Sequence, residues 1–183
     1  MTKKHHTSTT HHLALRVCEI GQLFNSMDPT PFINKDLDRD AEDYIESWAA
    51  GYSSDSRFQI TIHLEVWPEG QDPSITLSEA IHNHFAYKGE RTKHILRQLL
   101  RQGRTSLLIG IVFLSLCLLG ANALASLGNH PGYTIAEQSL TIVGWVAMWR
   151  PMQIFLYEWW PLLVRVRLYK RLSQAHIHTT HGK

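Results

Sequence analysis

Two long apolar stretches dominate the second half of the chain. Residues 106–127 form an uninterrupted run of 22 positions without a charged side chain. A helix of that length crosses a hydrocarbon core of roughly 30 Å at about 1.5 Å per residue. A second apolar stretch follows the helix-breaking cluster GNHPG at 128–132. The pattern predicts two transmembrane helices and a loop, at residues 105–127, 136–160 and 128–135, respectively.

Shorter periodic segments come before these stretches. Strict alternation of apolar and polar residues predicts strands over 13–20 (LALRVCEI) and 58–66 (FQITIHLEV). Between them, a helical period predicts a helix over 36–50 with Asp36 as its N-cap. The apolar stripe of this helix comprises Leu37, Ala41, Tyr44, Ile45 and Trp48.

Two strands form only a marginal sheet, so the predicted soluble part lacks a strand. The connection between the two strands is long enough for parallel pairing through a right-handed crossover. We expect either the segment 22–32 or a partner protein to complete the sheet. The apolar residues of this segment, Leu23, Phe24, Met27 and Phe32, are expected to pack back on the soluble part.

A long polar helix is predicted to lead into the first span. Thr76 and Glu79 have the spacing of a capping box, so the helix is expected to begin at Thr76. The fold class predicted is an α+β membrane protein. A small cytosolic α/β head, strand–helix–strand–helix, continues into a two-helix transmembrane hairpin. Its parts are a disordered tail (1–12), the head (13–75), the long helix (76–104), the two spans with their loop, a basic amphipathic helix (161–173) and a second tail (174–183).

The distribution of basic residues predicts the orientation of the hairpin. The loop between the spans has no Lys or Arg, whereas both outer flanks are basic. The positive-inside rule then places both termini in the cytoplasm of a bacterial inner membrane. The first twelve residues have no apolar core of a signal peptide, so the first span is expected to direct insertion. The residues predicted at the interface with anionic lipid are Lys93, Arg97, Arg101, Arg104, Trp159, Trp160, Arg165, Arg167, Lys170 and Arg171.

The second span contains two charged residues, Arg150 and Glu158, and a proline at 151 that predicts a kink. Three interpretations of Arg150 stay open at this point. Its side chain reaches the interface, it pairs with Glu158 or a neighbouring subunit, or it lines a polar path for an ion or substrate.

Small residues recur at helical spacing along the first span, which favours close contact between helices. This contact serves the hairpin itself, an oligomer, or both. The residues concerned are Ser106, Gly110, Cys117, Ala121 and Ala125.

The remaining polar residues give no catalytic pattern. Acidic residues dominate 28–79, where a solvated surface explains them more simply than an acidic binding surface. The two cysteines, Cys18 and Cys117, lie in different environments and have no metal-ligand spacing, so no disulfide is expected. The histidines are expected in solvent, since His82 and His84 do not share a helix face. No cofactor, metal or nucleic-acid partner is predicted.

Several segments together resemble a family of small, uncharacterised bacterial membrane proteins with two spans. The residues that resemble it are QLFNSMDPTPF, DLDRDAEDYIESWA, AIHNHFAYKGERT, GRTSLLIG and GWVAMWRPMQIFLYEWWPL, within about 13–172. The resemblance implies an inner-membrane protein whose head and spans form one unit. It implies no activity, cofactor or catalytic residue.

These patterns favour a non-enzymatic role, as an oligomeric scaffold or an accessory subunit of a larger membrane complex. The expected partners are anionic lipids of the inner leaflet and either further copies of the chain or other membrane subunits. A channel or transporter component with Arg150 and Glu158 in a polar path is the first alternative. A lipid-modifying enzyme that uses His82 and His84 is the second.

Overall fold

The computed structural model describes residues 9–25, 35–53, 55–67, 73–126, 128 and 131–181. The chain divides into two compact units. The head unit comprises Met1–Thr92 and Val164–Lys183, and the apolar unit comprises Lys93–Leu163. The fold is a mixture of helix and sheet that includes one long apolar helix. Residues 26–32 of the predicted segment 22–32, which include Met27 and Phe32, lie outside the described residues.

The elements follow one another along the chain in a simple order. The strands are β1 (Thr10–Val17), β2 (Arg57–Leu64) and β3 (His176–His181), and a short 3-10 helix covers Ile20–Leu23. The helices are α1 (Arg39–Ala50), α2 (Pro73–Ser126), α3 (Pro131–Ala147), α4 (Trp149–Gln153) and α5 (Trp159–Leu172), with a π-helix at Ile154–Glu158.

The sheet of the head unit has three parallel strands in the order β1-β2-β3. Ile60 of the central strand is in register with Leu13 on one side and Ile177 on the other. The predicted parallel pairing of the first two strands is therefore confirmed. The third strand comes from the C-terminal residues, which corrects the predicted tail at 174–183. The incomplete sheet consequently no longer argues for an oligomer.

The predicted N-terminal tail needs a smaller correction. β1 begins at Thr10, so the last residues of the supposed tail, 1–12, are part of a strand. These polar residues join the sheet because their backbone pairs with the start of β2, as in the register of His11 with Phe58. The His11 ring also stacks on Tyr52, with centroids 3.9 Å apart.

The core of the head unit lies on one face of the sheet. Phe58, Ile60, Ile62 and Leu64 of β2 alternate as predicted and are each at most 2% exposed. Fully burying side chains of this size contributes about 1.5–3 kcal/mol each. The helices supply the opposing residues, which are Ile45, Ala49, Leu77, Ala80, Ile81, Phe85, Leu168, Tyr169 and Leu172.

Helix α1 differs from its prediction in its N-cap and in the residues of its buried face. Its N-cap is Asp38, whose side chain accepts a hydrogen bond from the Asp40 backbone N–H, and not Asp36. Leu37 is buried, but it lies before the helix and bridges to Phe24. Tyr44, predicted in the apolar stripe, is 55% exposed, because the contact face is centred on Ile45. Leu23 and Phe24 pack on the head as predicted.

Helix α2 begins at Pro73, three residues before the predicted start, since proline suits the first turn of a helix. It runs for 54 residues. Within the described residues it is the one helix long and apolar enough to cross a membrane. Only 17% of its most apolar 18-residue window is buried, unlike the core helix of a soluble protein. The predicted first span, 105–127, falls within this helix except for Leu127, which lies outside the described residues.

The second apolar stretch is divided into several shorter helices. Helix α3 ends at Ala147, and a turn at Met148 separates it from α4. The kink predicted at Pro151 thus begins one turn earlier, because Pro151 has no N–H to donate to the Ala147 carbonyl. The helix predicted over 161–173 begins earlier, at Trp159, and Pro161 lies in its first turn, where proline is tolerated.

Candidate functional site

A network of polar side chains lies between α1, α2 and α5 in the head unit. His84 of α2 is 8% exposed, which corrects its predicted exposure to solvent. The Leu37 backbone N–H donates to His84 Nδ1 at 3.3 Å, and His84 Nε2 lies 3.0 Å from Glu42 Oε2. With Nδ1 accepting from Leu37, the proton of a neutral ring lies on Nε2 and points to Glu42, whereas a protonated ring would also donate from Nδ1 to Asp36 Oδ1.

The charge state of His84 follows from two opposing influences. Burial lowers its pKa below the ordinary 6.5, and Asp36, whose Oδ1 lies 3.2 Å from Nδ1, raises it. Burial prevails because the Asp36 side chain is 62% exposed and screened by water. His84 is therefore neutral at pH 7, and its imidazole links Asp36 and Leu37, which precede α1, to Glu42 of α1.

Lys88, one helical turn after His84, continues the network. Its ammonium group contacts Glu42 and lies 2.5 Å from Glu46 Oε1. Burial lowers the pKa of Lys88 and raises the pKa of Glu46. The charges of Arg165 and Arg91 add to the effect of burial on the pKa of Lys88, and the charge of Asp36 opposes it.

Tyr169 connects the network to α5. Its hydroxyl donates to Glu46 Oε2 at 3.1 Å, and its ring lies 5.2 Å from Lys88 Nζ. Burial, with the nearby Glu46 carboxylate, raises the pKa of Tyr169 to about 12. The phenol therefore stays neutral and acts as a hydrogen-bond donor.

A cavity of about 410 Å³ opens beside these residues. Its volume is that of a small-molecule pocket, and its walls carry both signs of charge. No described lining residue is a serine, threonine or cysteine, so nucleophilic catalysis of that kind has no candidate here. The lining residues are Asn25, Asp36, Leu37, Arg39, Glu42, Asp43, His84, Tyr87, Lys88 and Arg91.

The geometry of this network does not fit a metal centre. Asp36 and Glu42 contact opposite nitrogens of the His84 ring, so they do not converge on one ion. Among the described residues, no group of three potential ligands is placed to hold a metal. The network instead joins three helices through the ion pairs of Lys88 and the hydrogen bonds of His84 and Tyr169.

The sequence did contain a signal for this network. Glu42 and Glu46 are four residues apart on one helix, and His84 and Lys88 are four apart on another. Each pair occupies one helix face, with complementary hydrogen-bonding groups. Which two helices meet was not evident, because the pairs are 42 residues apart in sequence.

The surface of the apolar unit is a second candidate for function. Large apolar side chains cover α2, α3 and the first residue of α4, and each is more than half exposed. Soluble monomers rarely expose contiguous apolar patches of this kind. The residues are Leu108, Ile109, Val112, Leu116, Leu119, Ile135, Ile142, Trp145, Val146 and Trp149.

Helices α2 and α3 pack through small residues on the opposite side. A Cβ placed on Gly144 would lie 2.9 Å from Leu114 Cδ1 and 3.0 Å from Cys117 Cβ. One placed on Gly110 would lie 3.0 Å from Met148 Sδ. Of the other predicted packing residues, Cys117 and Ala121 are buried, Ser106 is half-buried and Ala125 is exposed. Both cysteines are free, in agreement with the expected lack of a disulfide.

Arg150 and Glu158 form an ion pair within the apolar unit. Arg150 Nη1 lies 2.5 Å from Glu158 Oε1, and the Arg150 side chain is 48% exposed. Of the three interpretations left open by the sequence, the geometry matches pairing. Arg150 also lines a cleft of about 350 Å³, with Ser106, Ile109, Gly110, Phe113, Ala147 and Pro151.

The predicted interface residues fall into two groups. Arg97, Arg101, Arg104, Trp160, Arg165, Arg167 and Lys170 are exposed, and Lys93 and Trp159 are half-buried. Arg171, predicted at the lipid interface, instead contacts the head. Its guanidinium lies 5.0 Å from the Phe58 ring centroid and donates to the Ser53 carbonyl at 2.6 Å. The helix predicted to lie on the membrane, 161–173, likewise buries Leu168 and Leu172 in the head core.

Fold and geometry define a mixed α/β protein with one helix able to cross a membrane and a charge-paired head. The chain matches no protein-family model, no curated protein and no solved structure.

Proposed function

We propose that the protein is a non-enzymatic subunit of the bacterial inner membrane, which acts as a scaffold or accessory component of a larger membrane complex. The apolar unit is a two-helix transmembrane hairpin, and the head unit faces the cytoplasm. The observation that carries the proposal is the exposed apolar surface on α2 and α3. Lipid is the solvent in which such a surface is stable.

The hairpin requires the second stretch to cross the bilayer despite its broken helices. In lipid, backbone polar groups must find partners within the protein. Two local bonds meet this need: the Met148 N–H donates to the Trp145 carbonyl at 3.0 Å, and the Trp159 Nε1–H donates to the Phe155 carbonyl at 2.6 Å. The pairing of Arg150 with Glu158 likewise lowers the cost of placing charge near the membrane.

The proposed orientation rests on the exposed basic residues at both flanks. Arg97, Arg101 and Arg104 precede the first span, and Arg165, Arg167 and Lys170 follow the second. Arginine and lysine near the ends of spans are retained on the cytoplasmic side. They also attract anionic headgroups, at about 1 kcal/mol per residue near the surface.

The proposed lack of catalysis rests on how the head uses its polar residues. His84, Lys88 and Tyr169 are the buried or half-buried titratable groups that most resemble catalytic ones. Each is already bound to a carboxylate that joins two helices. Such pairing stabilises the head and presents a rigid surface, which suits a partner-binding module.

The mass of the intact assembly tests this proposal. The full chain is extracted with its native lipids into nanodiscs, and every co-purifying chain is identified by mass spectrometry. We expect either a homogeneous oligomer or a stoichiometric foreign chain. A bare monomer in nanodiscs, with no associated protein, would contradict the proposal.

A variant of the head makes the experiment specific. Phe85→Asp places a charge in the head core and leaves the sequence of the apolar unit unchanged. If recognition occurs through the head, this variant loses the partner but stays in the membrane. The matched control Tyr87→Asp changes a residue that is 65% exposed on the same helix and should retain the partner.

A further inference from the structure

A second cavity of the head unit carries two arginines and lies where the strands β2 and β3 begin. It has a volume of about 290 Å³. Arg57 begins β2, His176 begins β3, and Arg171 lies near the end of α5. Its lining is completed by Ser56, Phe58 and Gln174. None of these residues belongs to the network around His84.

Arg171 is held in a fixed position within this cavity. Its Nη1 donates to the Ser53 carbonyl, and its guanidinium carbon lies over the Phe58 ring. Burial lowers the pKa of Arg171, and the charge of Asp55 opposes this effect. The guanidinium remains charged, because the ordinary pKa of arginine lies far above neutrality.

One donor of this fixed guanidinium has no partner among the described residues. Arg171 Nε is buried and makes no hydrogen bond there. A buried donor of a charged group that lacks an acceptor destabilises the folded state, so native proteins rarely contain one. An acceptor that is not part of the protein would remove this destabilisation.

The chemistry of the cavity indicates the acceptor. Arg57 is exposed and makes no salt bridge with another described residue, so it adds an available positive charge. The hydroxyl of Ser56, which is 5% exposed, and the amide of Gln174 add neutral donors. A guanidinium group can donate two parallel hydrogen bonds to two oxygens of one phosphate group. The remaining phosphate oxygens can accept from other donors nearby.

We propose that Arg57 and Arg171, with Ser56, Gln174 and His176, form a binding site for a phosphate group. The group belongs either to a free phosphate compound or to a phospholipid headgroup. The site is independent of the role proposed above. Arg171 thus binds an anion from within the head, where the sequence predicted a residue of the membrane surface.

Binding is tested on the full chain in dodecyl maltoside micelles, which contain no phosphate. In the first arm, inorganic phosphate is titrated by calorimetry, with chloride at equal ionic strength as the reference. In the second arm, phosphatidic acid is added to the micelles, and native mass spectrometry counts the retained lipids. Saturable binding in the first arm indicates a free phosphate compound, and binding in the second arm alone indicates a headgroup.

Two variants separate this site from general attraction to basic residues. Arg57→Gln should weaken binding about tenfold or more, as expected for losing a charge-assisted hydrogen bond. Arg16→Gln, at an exposed arginine of β1 outside both the cavity and the predicted lipid interface, should leave the affinity unchanged. Arg57 is exposed at the start of β2, so its variant is expected to fold.

Two results would overturn the proposal. One is the lack of saturable binding in both arms by a folded wild-type chain. The other is an equal loss of affinity in Arg57→Gln and Arg16→Gln, which would show that binding follows net charge.

Discussion

At the scale of single residues, the stability of the head depends on the contact of the neutral His84 ring with the Glu42 carboxylate. His84 is buried as the neutral imidazole, with one nitrogen accepting from a backbone amide and the other donating to Glu42. Its lowered pKa makes the stability of the head sensitive to acid. Between the folded pKa and 6.5, the unfolded chain binds more protons than the folded chain, so stability falls as the pH falls.

The first prediction is that acid destabilises the head through His84. In the wild type, the free energy of unfolding should decrease as the pH falls below about 6.5, the ordinary pKa of histidine. His84→Gln should be less stable at pH 7 and should lack this dependence. Urea unfolding in micelles, followed by near-ultraviolet circular dichroism at several pH values, measures both effects.

The control for this experiment is His178→Gln, at an exposed position of β3. It should keep the pH dependence of the wild type. Parallel curves for the wild type and His84→Gln would show that His84 is not the responsible group.

The second prediction concerns Lys88, which neutralises two neighbouring carboxylates. Lys88→Met leaves Glu42 and Glu46 together without their cation, in a site where both are about one-fifth exposed. We expect a loss of about 1–3 kcal/mol in the free energy of unfolding. Arg39→Met, at an exposed position of α1, should change it by less than about 0.5 kcal/mol. Equal effects of the two variants would argue against the charge network.

At the scale of elements, some strands can be predicted from the sequence alone and others cannot. β2 was evident because its apolar residues alternate without interruption. β3, with the sequence HIHTTH, was not, since only Ile177 marks its inner face. Its pairing depends on β2, which lies more than 100 residues earlier, and no local pattern reports such a contact. The His84 network was missed for the same reason.

The third prediction is that β3 is required for a stable head. Ile177 packs against the core and is in register with Ile60. Ile177→Asp puts a charge in this half-buried position, so β3 should detach and the amides of β2 should lose protection from hydrogen exchange. His178→Asp, at the next and exposed position, should retain protection. Unchanged protection in Ile177→Asp would contradict the assignment of β3.

The fourth prediction concerns the contact between α2 and α3. Gly144→Leu must displace Leu114 or Cys117, since even a Cβ there lies within about 3 Å of both. We expect a loss of about 1–3 kcal/mol, seen as a lower melting temperature in micelles. Val143→Leu makes a similar change at a side chain that is 49% exposed and should melt like the wild type. A Gly144→Leu chain that melts like Val143→Leu would show that this contact does not form.

At the scale of the whole molecule, one chain contains a head unit with paired charges and an apolar unit. Helix α2 contributes residues to both units, since its first turns belong to the head unit and the rest to the apolar unit. The sequence predicted the first apolar helix well, because length and lack of charge suffice for that purpose. The path of the second stretch was harder to predict, since the break at Met148 depends on backbone bonds around Pro151.

The central claim, a hairpin with its head in the cytoplasm, is tested most directly by the accessibility of single cysteines. The native Cys18 and Cys117 are replaced by serine and alanine, and one cysteine is introduced by Tyr133→Cys or Gln174→Cys. A membrane-impermeant maleimide is then added to spheroplasts. The account predicts that Tyr133→Cys is labelled at once and Gln174→Cys only after the membrane is opened. Labelling of both sites in closed spheroplasts, or of Gln174→Cys alone, would contradict it.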